Sequence, residues 1–139
     1  MTETEGHPWM QSPDGPAQRR ARTGTIRRAS PVFPVESVAV AVSYYFDGLG
    51  FEPVAPGEDY AIVARDGVEI HLCRKGAGGL PPGGAFVEVD DVDALYRELA
   101  RNARVECAGP PETMPWGERE FHLRDPDGNV LRFSQRTGD

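Results

Sequence analysis

Tyr60-Ala61-Ile62-Val63-Ala64-Arg65-Asp66-Gly67 recurs in pattern as Phe121-His122-Leu123-Arg124-Asp125-Pro126-Asp127-Gly128, 61 residues downstream. Each stretch is a short apolar-rich run that stops at an Asp/Gly turn, the mark of a strand entering a hairpin. The returning strands are Val68–Arg74 and Asn129–Gln135. A second echo lies upstream of each hairpin. Val35-Glu36-Ser37-Val38 matches Val89-Asp90-Asp91-Val92 at an offset of 54. In both places a short strand runs into a polar N-cap, Ser37 or Asp91, and then into apolar residues at helical spacing. These are Val38, Ala41, Val42, Tyr45 and Leu49 in the first copy, and Val92, Leu95, Tyr96 and Leu99 in the second.

The chain therefore reads as strand–helix–strand–strand–strand, twice. The first module covers about residues 31–75 and the second about 84–136. The first strand is Val32-Phe33-Pro34-Val35; Pro34, with Pro31 just before it, suggests an edge or an exchanged strand over a central one. Phe51–Ala55 and Arg104–Ala108 supply the strands after each helix, and Gly109–Pro115 is a loop. Between the modules, Gly76–Gly84 holds four glycines and Pro81-Pro82 outside its closing Gly84, the composition of a linker. A unit of about 50 residues buries too little surface to be stable alone. The expected fold is thus α+β: two βαβββ modules forming a curled mixed sheet around a cleft, with both helices on the outer face.

The 139 residues (15.2 kDa) suffice for one such domain, 31–139. Residues 1–30 carry three prolines, an arginine-rich stretch and almost no apolar periodicity, and read as a disordered tail. That tail has a formal charge of +2 and the remainder −9. An acidic body repels phosphate backbones, which argues against nucleic acid as a partner, and attracts small cations. No apolar run approaches the ~18 residues that span a bilayer, and no secretory apolar segment opens the chain. Cys73 and Cys107 alone make no disulfide framework, so a reduced, cytoplasmic setting is expected. Both sit in apolar strand patterns and read as small core residues. No Ser-His-Asp order, phosphate loop or dinucleotide fingerprint is present.

The chain resembles the vicinal-oxygen-chelate superfamily of glyoxalases, dioxygenases and antibiotic resistance proteins, and within it the bleomycin resistance proteins. The resemblance covers about residues 30–136. It is carried by Ala41-Val42-Ser43-Tyr44-Tyr45, Leu49-Gly50-Phe51, Ala85-Phe86-Val87-Glu88-Val89, Pro115-Trp116-Gly117-Glu118-Arg119-Glu120-Phe121 and Asp125-Pro126-Asp127-Gly128-Asn129. It implies stoichiometric sequestration of the drug, without chemical change, by a homodimer that exchanges its N-terminal strand and binds in grooves between subunits. Metal-dependent members carry ligands at positions that fall near Ser30, Gly84 and Arg132. None of the three is a competent ligand, and Arg132 is a fixed cation. The resemblance therefore implies no metal and no cofactor. A displaced site using His71, His122 and Glu69 or Glu120 is the alternative. The bland reading of both histidines is a hydrogen-bonded residue on a sheet face.

For a metal-free cleft the candidate ligand contacts are Trp116, Tyr60, Phe33, Phe86, Phe121, Gly117, Glu88 and Asp59. Flat rings stack on a planar heteroaromatic such as a bithiazole. Glu58, Asp59, Glu88 and Glu118 would draw in a cationic tail. Phe86 and Phe121 suit a core equally well, and most of the acids suit ordinary surface. Trp116, in a Pro-Trp-Gly loop before a strand, has little local packing reason to be there. Glu88 stands where a characterised bleomycin resistance type carries a second tryptophan, which leaves another aromatic or cationic natural product open as ligand. A metal-dependent enzyme of the superfamily and a binder of an unrelated metabolite are the competing functions.

Overall fold

The computed structural model describes residues 22–76 and 79–137. Most of the expected tail, residues 1–21, lies outside the described residues. Residues 22–30 hold no helix or strand and lead into β1. The first module contains β1 (Val32–Val35), α1 (Val38–Ser43), β2 (Glu52–Ala55), β3 (Tyr60–Arg65) and β4 (Val68–Arg74). The second contains β5 (Gly84–Glu88), α2 (Val92–Ala100), β6 (Glu106–Cys107), β7 (Glu112–Thr113), β8 (Glu118–Arg124) and β9 (Val130–Arg136). No helix is long and apolar enough to cross a membrane among the described residues.

Both caps form as their residue types dictate. The Ser37 hydroxyl accepts from Val40 N–H at 3.2 Å, and the Asp91 carboxylate accepts from Ala94 N–H at 3.0 Å. α1 then widens into a π-helical stretch, Tyr44–Gly48, before Gly50 at φ +76° ends it. The widening carries Tyr44 and Tyr45, neighbours in sequence, both into the interior. The β3–β4 turn has Asp66 and Gly67 at φ +50° and +82°, the backbone a two-residue hairpin requires.

The modules share one topology. β1 lies parallel to β4 and the order is β1-β4-β3-β2; β5 lies parallel to β9 and the order is β5-β9-β8-β6, with β7 also on β8. Each module keeps its own hydrogen-bonded sheet. The expected strand at Arg104–Ala108 shortens to Glu106–Cys107. Asn102 Oδ1 accepts from Arg104 N–H at 2.9 Å and the Asn102 backbone carbonyl from Val105 N–H at 3.0 Å, which holds the chain in a turn up to Val105. A second short strand, β7, forms within the expected loop, and Gly109 at φ +132° breaks the edge between the two.

One face of each sheet is covered by a helix and the other is open. Phe33, Val35, Ala61, Val63, Ile70 and Leu72 face α1; Phe121, Leu123, Leu131 and Phe133 face α2. Matching these buried rows superposes Ala61 on Phe121 and Leu72 on Phe133. It also superposes Tyr60 on Glu120 and His71 on Arg132, on the open faces.

The modules are joined by polar groups of the β8–β9 turn. The Asp125 carboxylate accepts from Asp127 and Asn129 N–H, both at 2.9 Å, and from the Tyr45 hydroxyl at 2.7 Å. Asn129 Nδ2 donates to the Pro34 carbonyl at 3.1 Å, and its Oδ1 accepts from Gly83 N–H at 2.7 Å. Tyr45, Asp125 and Asn129 are all buried. Burial and the adjacent carboxylate push the Tyr45 phenol far above its usual range, so it stays a donor. At the other side of the junction, Arg65 grips Glu98 through both Nη atoms at 2.8 and 2.9 Å. Tyr45→Phe leaves a buried carboxylate lone pair without its donor. It should cost about 1–3 kcal/mol in denaturant unfolding with the slope unchanged. A cost under about 0.5 kcal/mol would mean that the bond does not join the modules.

Candidate functional site

Strand alternation divides β8 cleanly. Arg119, Phe121 and Leu123 point toward α2; Glu118, Glu120 and His122 point to the open face. The ladder places Glu120 opposite Ser134, His122 opposite Arg132, and Arg132 opposite Phe86 of β5. One open face therefore gathers residues from three strands, and the loop before β8 adds Trp116.

Glu120 lies at its centre, 2% exposed. Arg132 grips it with a fork, Nε to Oε1 at 2.9 Å and Nη2 to Oε2 at 3.0 Å. His122 Nε2 donates to Oε1 at 3.2 Å. The Ser134 hydroxyl and Trp116 Nε1 each donate to Oε2 at 3.3 Å. The Arg132 guanidinium, reinforced by His122 and Trp116, holds the Glu120 carboxyl at about 2, well below its ordinary value.

Two rings frame this carboxylate. Trp116 is 62% exposed and Phe86 51% exposed. The Arg132 guanidinium sits 5.0 Å from the Phe86 ring centroid, a cation–π contact. The Trp116 loop is itself fixed. Gly117 adopts φ +92°, a backbone that favours glycine, and its carbonyl accepts from Thr137 N–H at 3.0 Å and Thr137 Oγ1 at 2.6 Å. Trp116, Gly117 and Phe86 thus lie together on one face, and the exposed Glu88 stands two residues along β5 from Phe86, at the rim of the junction cavity.

The remaining candidates lie elsewhere. Tyr60 and Asp59 are on the first module. Tyr60 shares a 2.7 Å hydrogen bond with His71 Nδ1, and Asp59 pairs with Arg74 at 3.3 Å. Phe33, expected at a ligand face, is instead fully buried among the core residues beside α1. Phe121 takes the core alternative, packed between Tyr96 and Phe133 at centroid distances of 5.3 and 5.2 Å. The cavity at the module junction, about 460 Å³, is lined by Leu49, Phe51, Leu95 and Phe133 together with Arg65, Glu98 and the candidate Glu88, and it touches none of the exposed rings. In the sequence Arg132 reads only as a failed metal ligand and Glu120 only as a spare one. The alternating Glu118, Glu120 and His122 were a visible signal, but the partner strand's register was needed to read them.

The residues at the positions that the resemblance gives to a metal do not suit a cation. Ser30 and Gly84 offer no imidazole or carboxylate, and Arg132 contributes a permanent positive charge already committed to Glu120. The alternative set is divided: His71 pairs with Glu69 on the first sheet and His122 with Glu120 on the second. Among the described residues no three His, Cys, Asp or Glu side chains are placed to hold a metal ion.

Residues 27–133 match the model of the Glyoxalase/Bleomycin resistance protein/Dioxygenase superfamily. A bleomycin resistance protein of Geobacillus stearothermophilus is 27% identical over 124 residues, covering 76% of this chain and 94% of its own. A bleomycin-binding protein from bleomycin-producing Streptomyces verticillus was solved in complex with copper(II)-bleomycin. It superposes with a TM-score of 0.69 at 32% identity, over 84% of this chain and 100% of that one. A bleomycin resistance determinant encoded on the transposon Tn5 gives 0.68 at 25% identity, over 80% and 98% of the two chains. With the match spanning most of its length and the paired βαβββ topology in place, the chain belongs to the Glyoxalase/Bleomycin resistance protein/Dioxygenase superfamily.

Proposed function

We propose that the protein is a metal-free, cytoplasmic binding protein that sequesters a bleomycin-type antibiotic without altering it. The observation that carries this reading is the pair of exposed rings, Trp116 and Phe86, on one uncovered sheet face. Rings left in water at that exposure gain by covering a flat heteroaromatic, at about 0.5–1.5 kcal/mol per stacked pair beyond area burial. The face holds no activated nucleophile: its carboxylate is saturated with donors, and its cation is tied to that carboxylate. Binding is what such a surface can do. The acidic body, −9 over residues 31–139, steers a cationic ligand toward it. The relatives named for bleomycin resistance and bleomycin binding support the same ligand class.

The site is completed by a second copy. Both sheets leave one face open, and Val32, Tyr60, Phe86 and Trp116 are exposed on or beside those faces. A homodimer that sets the Tyr60–His71 face near the Trp116 face would close a groove between subunits, bringing Tyr60 and Asp59 to the ligand. β1 here lies on its own β4, with Val32 opposite His71. In an exchanged dimer the same edge of β4 is filled from the partner. The exposed Glu88, where a ring would otherwise stack, favours a ligand with more positive charge and less aromatic area.

Sedimentation at micromolar concentration should give about twice 15.2 kDa; a clean monomer would overturn the groove between subunits. Elemental analysis should find far less than one zinc, iron, nickel or manganese per chain; about one per chain would overturn the metal-free reading. Titration with metal-free and copper-loaded bleomycin, followed by heat, should show saturable binding. Trp116→Ala should weaken it ten- to a hundredfold, about 1–3 kcal/mol, with little change in melting temperature. No binding by either protein at high micromolar concentration would hand the site to an unrelated metabolite.

A further inference from the structure

We infer that Glu120 is the positioning residue of this face, the buried carboxylate that holds both aromatic platforms at fixed places. The inference rests on the ligand-binding reading of the face and goes beyond it to the group that sets its geometry. Four side chains converge on Glu120, and two of them lead to the rings. Trp116 is tied directly, through its indole N–H. Phe86 is tied through Arg132, whose Nε and Nη2 are fixed on the carboxylate while its guanidinium carbon lies 5.0 Å from the ring centroid. Glu120 is too deeply buried to stack on a ligand itself.

The arrangement answers two problems. An exposed tryptophan on a loop samples several rotamers, and binding must then freeze one of them at a cost in entropy. A hydrogen bond from the indole to a buried acceptor removes that freedom before the ligand arrives. Arg132, left alone, would place an unbalanced cation under the ligand and repel a cationic drug. The Glu120 charge cancels it, so the face offers rings without net repulsion. Glu118 is the other acid near this pair, sharing Ser134 Oγ at 3.2 Å. The geometry gives the two-point grip on Arg132 to Glu120 alone.

The test uses the full chain with Trp9→Phe, so that Trp116 is the only tryptophan. Without ligand, Glu120→Gln should lower the fluorescence anisotropy of Trp116 and make it more accessible to acrylamide. Bleomycin binding should weaken about tenfold. In a Trp116→Ala background the same substitution should cost threefold or less, because one of the two platforms it positions is gone. Unchanged Trp116 anisotropy, or an equal loss in both backgrounds, would overturn the inference and make Glu120 merely structural. If Glu120→Gln fails to fold, Glu120→Asp keeps the charge and retracts the acceptor by one carbon. It should free Trp116 to a similar degree, and a Trp116 as rigid as in the parent would refute the role. Should the parent itself bind no bleomycin, the drug assignment falls, while Trp116 anisotropy alone still decides whether Glu120 positions the ring.

Discussion

The carboxylate of Asp125 is the point on which the two halves of the molecule turn. It accepts from two backbone N–H groups of its own turn and from Tyr45 of the other module. Asn129, oriented by the same carboxylate, reaches the carbonyl of Pro34 and the N–H of Gly83. One buried acid thus shapes the β8–β9 hairpin, seats β1 and anchors the entry to β5. A module of this size cannot support itself by burial alone, and apolar contacts at the junction would allow it to slide. Directional bonds to a buried charge fix the offset between modules, and with it the places of both open faces.

Much of this was legible locally. The Asp66-Gly67 turn, the Ser37 and Asp91 caps and the doubled strand order follow from rules that act over a few residues. The π-helical stretch at Tyr44–Gly48 does not, because it is imposed by the need to bury two adjacent tyrosines against the other module. Phe121 shows the limit of a sequence echo. In the repeated pattern it stands opposite Tyr60. The β8–β9 connection is longer than the two-residue Asp66-Gly67 turn, and the true counterpart of Phe121 is Ala61. A shift of one residue in a strand exchanges its faces, so Phe121, a ring that suited ligand face and core equally in the sequence, lies in the core.

The site was only partly readable for a related reason. Trp116 stood out because a loop gave it nothing to pack against. Glu120 and Arg132 stood twelve residues apart on different strands, and only the ladder makes them partners. Once paired, they explain several details together: the depressed carboxyl, the tethered indole, the guanidinium beside Phe86, and the poor fit to a metal.

The superposition of the modules carries a consequence for how such a protein changes over generations. Tyr60 and His71 hold the positions that Glu120 and Arg132 hold in the other half, and each pair is hydrogen-bonded across the open face of its own sheet. A duplicated module gives its descendant a spare copy of every surface. Divergence at these two positions is enough to turn a phenol–imidazole pair into a carboxylate–guanidinium one while the hairpins, caps and core beneath stay as they were. New binding preferences in this architecture then need few substitutions, because the copy that keeps the old chemistry shields the copy that is free to drift.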